Sequence, residues 1–382
     1  MKVLQVITHL ELGGAQKATL DLSRWLLRKG YDVVIISSSR GFLYKSVKKE
    51  FGKRFKESKF LRREINPVYD LIGFFSLLIF ILENKFDVVH THTSKAGILG
   101  RWAVLFTLRT KSVHTVHGFA FHDFQNLILK HIFIIVEKIT AIITNKIIAV
   151  SKSVKDKGLK YGIGSEKKYS VVYELVNTGS NNDRLTLESR EHNRRASYKI
   201  GMIAALKQQK NPGDFIKIAS ILLKKRKDLE FLLIGDGVLR NKLNKMIKMY
   251  NIEENFKILG WREDAYALME SFDVLILTSL FEGQPHVIIE AMSLGIPIVA
   301  TEVDGVKDLI KNGENGFLFP PRNPHAAVRC VENILDNTEV RNNISMAAWN
   351  YFKNEKKMDY ILNLGKIEKI YQEIVYESDR NY

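Results

Sequence analysis

The sequence predicts an α/β protein built from two doubly wound domains in tandem. Three observations point there: the length, a strand–helix alternation that stops and restarts, and a charge imbalance confined to one half. The chain has 382 residues, which at about 100–200 residues per domain predicts two domains and at most three. Hydrophobic residues make up 46% and charged residues 26%, a balance that excludes an overall disordered chain. With 24 glycines and 7 prolines, collagen-like and proline-rich architectures are excluded as well. The single cysteine, Cys330, excludes a disulfide framework and a cysteine-based zinc site, and is compatible with a reducing compartment.

In the first half, strands and helices alternate. Val3–Ile7 reads as a strand, and Gly13-Gly14 opens a helix from about Ala15 to Lys29, stopped by Gly30. Asp32–Ser37, Phe86–His92, Ser112–His117 and Lys146–Val150 read as further strands. Such alternation predicts a parallel sheet covered on both faces. Asn177 to Arg195 is polar and turn-rich, and reads as a linker or loop. The alternation restarts at Lys199–Ala204 and continues through helix Pro212–Lys225, strand Phe231–Ile234, a helix from about Val238 to Tyr250, and strands Phe256–Leu259, Val274–Leu277 and Ile298–Ala300. Ligands of such sheets sit beyond the carboxyl ends of the strands. With two such domains, the expected site is a cleft between them.

The net charge of +16 is uneven. Residues 1–180 hold 29 Lys and Arg against 14 Asp and Glu, an excess of 15; residues 181–382 hold 29 against 28. The first domain is therefore suited to a polyanion: nucleic acid, an anionic membrane surface or a phosphorylated substrate. Its densest basic stretch includes Lys45, Lys48, Lys49, Lys53, Arg54, Lys56, Lys59, Arg62 and Arg63. Leu43, Val47, Phe51 and Phe55 recur every four residues there, which predicts a basic amphipathic helix. That helix either packs on its own domain with a solvated charged face or faces a membrane. The longest apolar run, Leu71–Leu82, has 12 residues, short of the roughly 20 needed to cross a bilayer, and is expected to be a buried core helix. Met1–Thr8 runs straight into a strand without the features of a signal peptide, so secretion is not expected.

The segment Leu280–Thr301 carries the most chemistry. Strand Val274–Leu277 leads into a loop with Glu282 and Gly283. Pro285 is placed to start a helix that runs to about Leu294, with Gly295 and Pro297 as stop signals. Amides at Gln284 and at His286, Val287 and Ile288 are expected to form an anion site. Glu290 lies one turn beyond His286 on the same face, and Glu282 precedes the site on the loop. Two carboxylates flanking an anion site suit a nucleotide sugar; the alternative is one solvent-exposed and one capping glutamate.

This segment resembles the Glu-x7-Glu motif of family-4 glycosyltransferases, retaining enzymes of the GT-B architecture. Other pieces match in order and spacing. They are Val6–Gln16 with its glycines, Phe86–His92, His114-Thr-Val-His-Gly118, Gly260-Trp261, and Asp304-Gly305 through Asn312–Phe317. The resemblance spans residues 1–376 and is closest to bacterial enzymes that build capsule or O-antigen. It implies two Rossmann-like doubly wound domains facing a cleft: an acceptor-side domain over 1–176, a linker over 177–197, a donor-nucleotide domain over 198–348, and a helical segment over 349–382 crossing back to the first domain.

It also implies roles. Glu290 would hold the donor ribose, and Glu282 would contact the transferred sugar. Amides around Gln284, Pro285, His286, Val287 and Ile288, next to Gly283, would hold the distal phosphate and sugar. Lys210 would offset charge on the leaving diphosphate. His117 would approach the donor sugar from the first domain, and Gly13 and Gly14 would admit the donor phosphate and acceptor. Each has a plain structural alternative: a surface lysine, a satisfied core histidine, a helix-start turn. His90 and His92 resemble a metal pair at alternate strand positions, but no nearby third ligand is evident.

The implied reaction is sugar transfer from a nucleotide diphosphate donor, expected to be UDP-linked, to an acceptor hydroxyl, with retention. No cofactor and no essential metal are expected, since no Asp-x-Asp pair occurs. The expected partners are a lipid-linked or glycan acceptor and an anionic membrane surface, at the cytoplasmic face of the plasma membrane. No recognisable nucleic-acid-binding motif occurs. A nucleotide-sugar epimerase and a non-catalytic sugar-nucleotide-binding protein are the alternatives. Two departures from the family pattern stand out. Ala205 occupies the place of a usual arginine five positions before the lysine, and Tyr173-Glu174-Leu175-Val176 replaces a usual Asn-Gly before the linker.

Overall fold

The structure, a computed structural model, describes residues 1–62, 64–174 and 197–379. The chain divides into two compact units, Met1–Leu175 with Asp359–Tyr382, and Val176–Met358. Most of the expected linker, 177–197, lies outside the described residues.

The first unit alternates strand and helix: β1 Lys2–Val6, α1 Gly14–Arg28, β2 Asp32–Ser37, α2 Tyr44–Phe51, β3 Phe55–Glu57, α3 Pro67–Asn84, β4 Val88–His92, α4 Ser94–Leu105, β5 Lys111–Val116, α5 Leu127–Ile142, β6 Lys146–Ala149, α6 Lys152–Lys160 and β7 Tyr169–Val171. Its strands lie in the order β3-β2-β1-β4-β5-β6-β7, each neighbour parallel. Val3, Val33, Val88, Val113 and Ile148 on successive strands fill one side of the sheet, and Leu4, Val6 and Val89 fill the other.

The second unit repeats the pattern: β8 Tyr198–Ile203, α7 Pro212–Lys225, β9 Leu229–Ile234, α8 Arg240–Met249, β10 Phe256–Gly260, α9 Ala265–Met269, β11 Val274–Leu277, α10 His286–Ser293, β12 Ile298–Thr301, α11 Asp304–Lys307, β13 Phe317–Phe319, α12 Pro324–Asp336 and α13 Thr338–Asn354. Its parallel order is β10-β9-β8-β11-β12-β13. In both sheets the strand order reverses between the first and fourth strands.

Three expectations need correction. The C-terminal helical segment does not begin its return at Trp349. α13 stays in the second unit, and α14, Tyr360–Asp379, is the helix that packs on the first sheet. There Leu364, Ile367 and Tyr371 join Val3, Val88 and Val113 in one core, while Trp25 Nε1 and Tyr31 Oη donate to Glu368 at 3.2 and 3.1 Å.

The basic helix is shorter than its period predicts. Gly52, at φ +51, ends α2, and Phe55 opens β3 instead. Val47, Phe51 and Phe55 are buried with Ile7, Leu10 and Ile35, so the apolar side of α2 is filled by its own unit while Lys45, Lys48 and Lys49 are exposed.

The apolar helix is not buried. Over its 18 residues α3 is long and apolar enough to cross a membrane by length and composition alone. Yet Gly73, Leu77 and Ile81 sit in the unit's core, while Leu71, Phe75, Ile79 and Leu82 are 51–59% exposed. α5 repeats this arrangement, exposing Ile128, Ile132, Ile135, Ile139 and Ile142 at three- and four-residue spacing. The two helices flank α4, through the Phe74–Phe106 ring contact at 5.9 Å on one side and the Trp102 Nε1–Thr140 Oγ1 hydrogen bond of 3.2 Å on the other. Periodicity gives the apolar residues a common face; it does not say what covers that face.

Candidate active site

The second unit's site is built at the switch point of its sheet, where β8 and β11 are neighbours and the connections beyond their carboxyl ends diverge. After β8 the chain makes a tight turn at Gln208–Lys210, passes Asn211 in a left-handed conformation (φ +47), and enters α7 at Pro212. The β11 loop is stitched to this turn. Thr278 Oγ1 lies 3.0 Å from the carbonyl oxygens of both Lys210 and Asn211, Leu280 N donates to Gln209 O at 2.8 Å, and Gln209 Nε2 donates to Phe281 O at 3.0 Å.

This stitching brings two predicted residues together. Lys210 Nζ lies 2.5 Å from Glu282 Oε1, and Ser279 Oγ donates to the same oxygen at 2.5 Å. The Glu282 side chain is 6% exposed and that of Lys210 19%. Charge-assisted hydrogen bonds of this kind are the strong ones. Removing either partner would leave the other charge uncompensated and partly desolvated.

α10 follows directly. Pro285 is its N-cap, all eight residues of His286–Ser293 are buried, and Gly295 at φ +61 lies just beyond the end. Ile288 N donates to Pro285 O at 3.1 Å, closing the first turn of the helix. Gln284, His286 and Val287 are buried around the helix start, and Glu290 is 6% exposed one turn on. The loop is braced from β12: Thr301 Oγ1 donates to Ser279 O at 2.6 Å, and Gly305 N to Glu282 O at 3.2 Å. A Cβ at Gly305 would sit 2.0 Å from Gly283 O. Gly305 thus lets the Glu282–Gly283 backbone close down. Its motif was visible in the sequence, but no sequence signal tied it to Gly283.

In the first unit, Gly13 caps α1 at φ −131 and Gly14 is its first residue, so neither glycine is required by a left-handed backbone. A Cβ on Gly13 would meet only the flexible Gln16 side chain, at 2.6 Å. His117 follows β5, with Nε2 3.0 Å from His92 Nδ1 and Nδ1 2.8 Å from Glu174 Oε2. His92 Nε2 lies 2.8 Å from Gln5 Oε1, and Gln5 Nε2 donates to Tyr371 Oη at 3.2 Å. His90 spans Tyr371 Oη at 2.5 Å and Thr115 Oγ1 at 2.7 Å.

The ring nitrogens of His90 and His92 are therefore all engaged in hydrogen bonds. Burial, with a smaller contribution from His117, pushes His90 down to about 3. Burial likewise holds His92 and His114 well below the ordinary histidine value. Gln5, Glu174 and Tyr371, which complete this network, were missed by the sequence reading. Their partners are up to 366 positions away, and a strand glutamine or helix tyrosine has no local signature of such a role.

Comparison with known proteins adds the following. The profile of Glycosyltransferase Family 4 matches residues 12–180, and that of Glycosyl transferases group 1 matches residues 183–350. The chain is 29% identical over 390 residues to an Escherichia coli UDP-Gal:alpha-D-GlcNAc-diphosphoundecaprenol alpha-1,3-galactosyltransferase, covering 97% of each. It is 24% identical to the capsular polysaccharide biosynthesis glycosyltransferase CapM of Staphylococcus aureus, covering 93% of each. Among solved structures, Anabaena HepE in complex with UDP and glucose superposes with a TM-score of 0.81 at 18% identity, covering 97% of this chain and 99% of that one.

Proposed function

The chain belongs to the family-4 glycosyltransferases of surface-glycan type, with the GT-B fold, and from that premise we propose that it moves a hexosyl or N-acetylhexosaminyl group from a UDP-sugar to a hydroxyl of a lipid-linked glycan, with retention. The observation that carries the reading is the Lys210–Glu282 pair at the switch point. Before the donor arrives, Glu282 holds the lysine in place. When the diphosphate binds, Lys210 turns to it and Glu282 is released toward the transferred sugar. Charge on the leaving diphosphate grows toward the transition state, so a placed cation accelerates transfer more than it tightens donor binding. In this reading Glu290 takes the ribose, and the amides of Gln284, His286 and Val287 take the phosphate end. The acceptor class is supported by the E. coli relative, whose name specifies a diphosphoundecaprenol acceptor.

The membrane seat is read from the first unit. It exposes apolar stripes on both α3 and α5, and exposed apolar faces of this extent suit an interaction site. One basic side chain sits beside α3: the Arg62 guanidinium lies 3.9 Å from the centre of the Tyr69 ring in the helix's first turn. Together with the excess of 15 positive charges over residues 1–180, this suits peripheral binding to an anionic bilayer on the cytoplasmic side. Insertion is assigned to α3 and α5 and not to α2, whose apolar side is already filled.

A panel of nucleotide sugars, with lipid diphosphate acceptors and NMR of the product's anomeric centre, tests the reaction. Transfer from a UDP-sugar with retention is expected. Solvent proton exchange into the sugar without acceptor would make the protein an epimerase. Donor binding without turnover would make it a non-catalytic binder, the reading that Ala205 favours, since an alanine cannot neutralise a diphosphate. If the enzyme turns over, Ala205→Arg is expected to raise the rate.

A further inference from the structure

In a parallel sheet every strand starts at one edge, and each crossover helix runs back to end there. In the first unit α3, α4 and α5 therefore end at this amino edge, next to the starts of β4, β5 and β6. Val88 pairs with Lys111, Val113 with Lys146 and Ile147 with Tyr169, which sets Lys111, Lys146 and the Lys167-Lys168 pair on successive strand starts. Apolar side chains share the edge: Phe106 is 59% exposed, Ile142 73% and Leu108 fully. The α4–β5 turn that carries Phe106 and Leu108 is pinned to its unit. Thr107 Oγ1 donates to Val104 O at 2.7 Å, and Thr110 Oγ1 to Phe86 O at 2.8 Å. The Phe74 ring of α3 meets Phe75 at 5.2 Å and Phe106 at 5.9 Å, so the exposed stripe of α3 continues into this turn.

The charge at this edge is largely uncompensated. Lys85, Arg109, Lys111 and Lys167 form no salt bridge and no side-chain hydrogen bond among the described residues. Of the acidic residues in the same connections, Glu166 pairs with Lys155, and Asp87 accepts from Lys2 N at 2.6 Å. At the opposite, carboxyl edge the cations beside these helices are paired: Lys95 with Asp70 at 2.7 Å and Lys130 with Asp123 at 2.6 Å. Lysines at helix ends complement the helix dipole, and Lys168 does so here, donating from Nζ to Ala141 O at 2.9 Å and to Ile142 O at 2.7 Å. The four unpaired cations make no such contact, and a dipole does not call for Phe106 and Leu108 to stand exposed on the same edge.

We propose that this amino edge is a headgroup site for anionic phospholipid, in which Lys85, Arg109, Lys111 and Lys167 hold lipid phosphates while Phe106 and Leu108 enter the acyl boundary. It rests on the membrane reading above and adds where the charge contact is made: α3 and α5 supply apolar area, and this edge supplies the phosphate contacts. Long basic side chains lay their stems on apolar surface and keep their charged ends at phosphate level, and each is drawn to the negative potential of an anionic leaflet. A second copy of this chain would bring the same cations to the contact and repel it. Gly13, Gly14 and His117 lie beyond the other ends of their strands, at the carboxyl edge, so lipid held here does not compete with substrate there.

The test is sedimentation of full-length protein with vesicles of phosphatidylcholine, with and without phosphatidylglycerol. Replacing Lys85, Arg109, Lys111 and Lys167 with Gln is expected to lower binding to the anionic vesicles by about tenfold or more and to flatten its salt dependence, with little effect on neutral vesicles. Phe106→Ser with Leu108→Ser is expected to weaken binding to both. All six positions are on the surface or its margin, and melting curves check that the variants fold. In a Cys330→Ser background, a nitroxide on Leu108→Cys is expected to be shielded from a water-soluble relaxation agent by anionic vesicles. One on Val238→Cys, in the second unit and 90% exposed, is expected to stay accessible. An accessible label at 108, or a charge variant that keeps its preference for phosphatidylglycerol, overturns the proposal. If these variants bind like wild type while Phe75→Glu with Ile135→Glu does not, this site falls and the membrane reading stands. If wild type binds neither vesicle, both fall. Loss of a dimer in Phe106→Ser with Leu108→Ser, with vesicle binding unchanged, gives the edge to a second copy and overturns the proposal.

Discussion

The two sheets share one strand order up to their sixth strand and put their chemistry in different places. In the first, β1, β4 and β5 carry Gln5, His90, Thr91, His92, His114 and Thr115 within the sheet, all buried. In the second, Ile200, Met202, Leu275, Ile276, Leu277, Val299 and Ala300 make the central strands apolar, and the polar groups cluster just past the strand ends at Thr278, Ser279 and Glu282. Polar groups inside a sheet must satisfy one another completely, because an unpaired one costs about 1–3 kcal/mol. That demand produces the long His–Gln–Tyr chain. Groups on loops are held by backbone carbonyls and amides and can change partners when a ligand arrives. The first arrangement suits fixing a charge state; the second suits exchanging an ion pair for a substrate.

The contrast is tested first by acid. His90, His92 and His114 are neutral in the fold, while the unfolded chain takes up protons below about 6.5. Their folded values are depressed, so the unfolded state binds more protons and stability falls as pH drops from about 6.5 toward 3. For His90 alone the loss at pH 5 is about 2 kcal/mol, and the other two act in the same direction. The second sheet has no histidine in its strands. Hydrogen exchange at pH 5 should therefore release the amides of β4 and β5 ahead of those of β8 and β11. Equal loss in both sheets would erase the distinction.

Next comes Lys210→Ala, which removes the lysine half of the loop pair. Turnover on the best donor is expected to fall about 100-fold or more, with a smaller rise in KM. Full activity would mean the diphosphate site is elsewhere. Glu290→Ala is expected to weaken donor binding by about tenfold, the magnitude of one lost hydrogen bond to a charged group. Calorimetry with UDP checks it, and an unchanged affinity with a normal melting curve rules out the ribose role.

Gly305→Ala probes how closely the loop must be braced. The clash with Gly283 O is with backbone, which cannot swing aside. A destabilisation of about 1–3 kcal/mol is expected, together with weaker donor binding. Unaltered melting and binding would show that the Glu282 loop has slack.

The smallest effect concerns the outer surface of the first unit. Phe75→Glu with Ile135→Glu should lower binding to anionic vesicles by about tenfold or more, since both side chains are already half-buried and completing the burial contributes only part of the roughly 1.5–3 kcal/mol for each. Replacing Lys48, Lys49, Lys53 and Arg54 with Gln should weaken it less, and mainly at low salt, where surface charge is least screened. The reverse ranking would return the membrane contact to α2.

Local pattern alone determined the alternation of strands and helices, the restart of the fold near residue 198, and the Glu282–Glu290 segment with its proline start and glycine stop. These depend on the period of apolar residues and on what glycine and proline allow the backbone, both properties of a short stretch of chain. Tertiary structure decided the rest. It left the stripes of α3 and α5 on the surface, because an apolar face has no way to encode its own cover. It ended α2 at Phe51 and gave Phe55 to a strand, because Ile35 in β2 offered it a partner. It brought Lys210 to Glu282 across 72 residues and Tyr371 to Gln5 across 366. A hydrogen bond is specified by where two atoms meet, and that position is fixed only when distant strands and the last helix have packed.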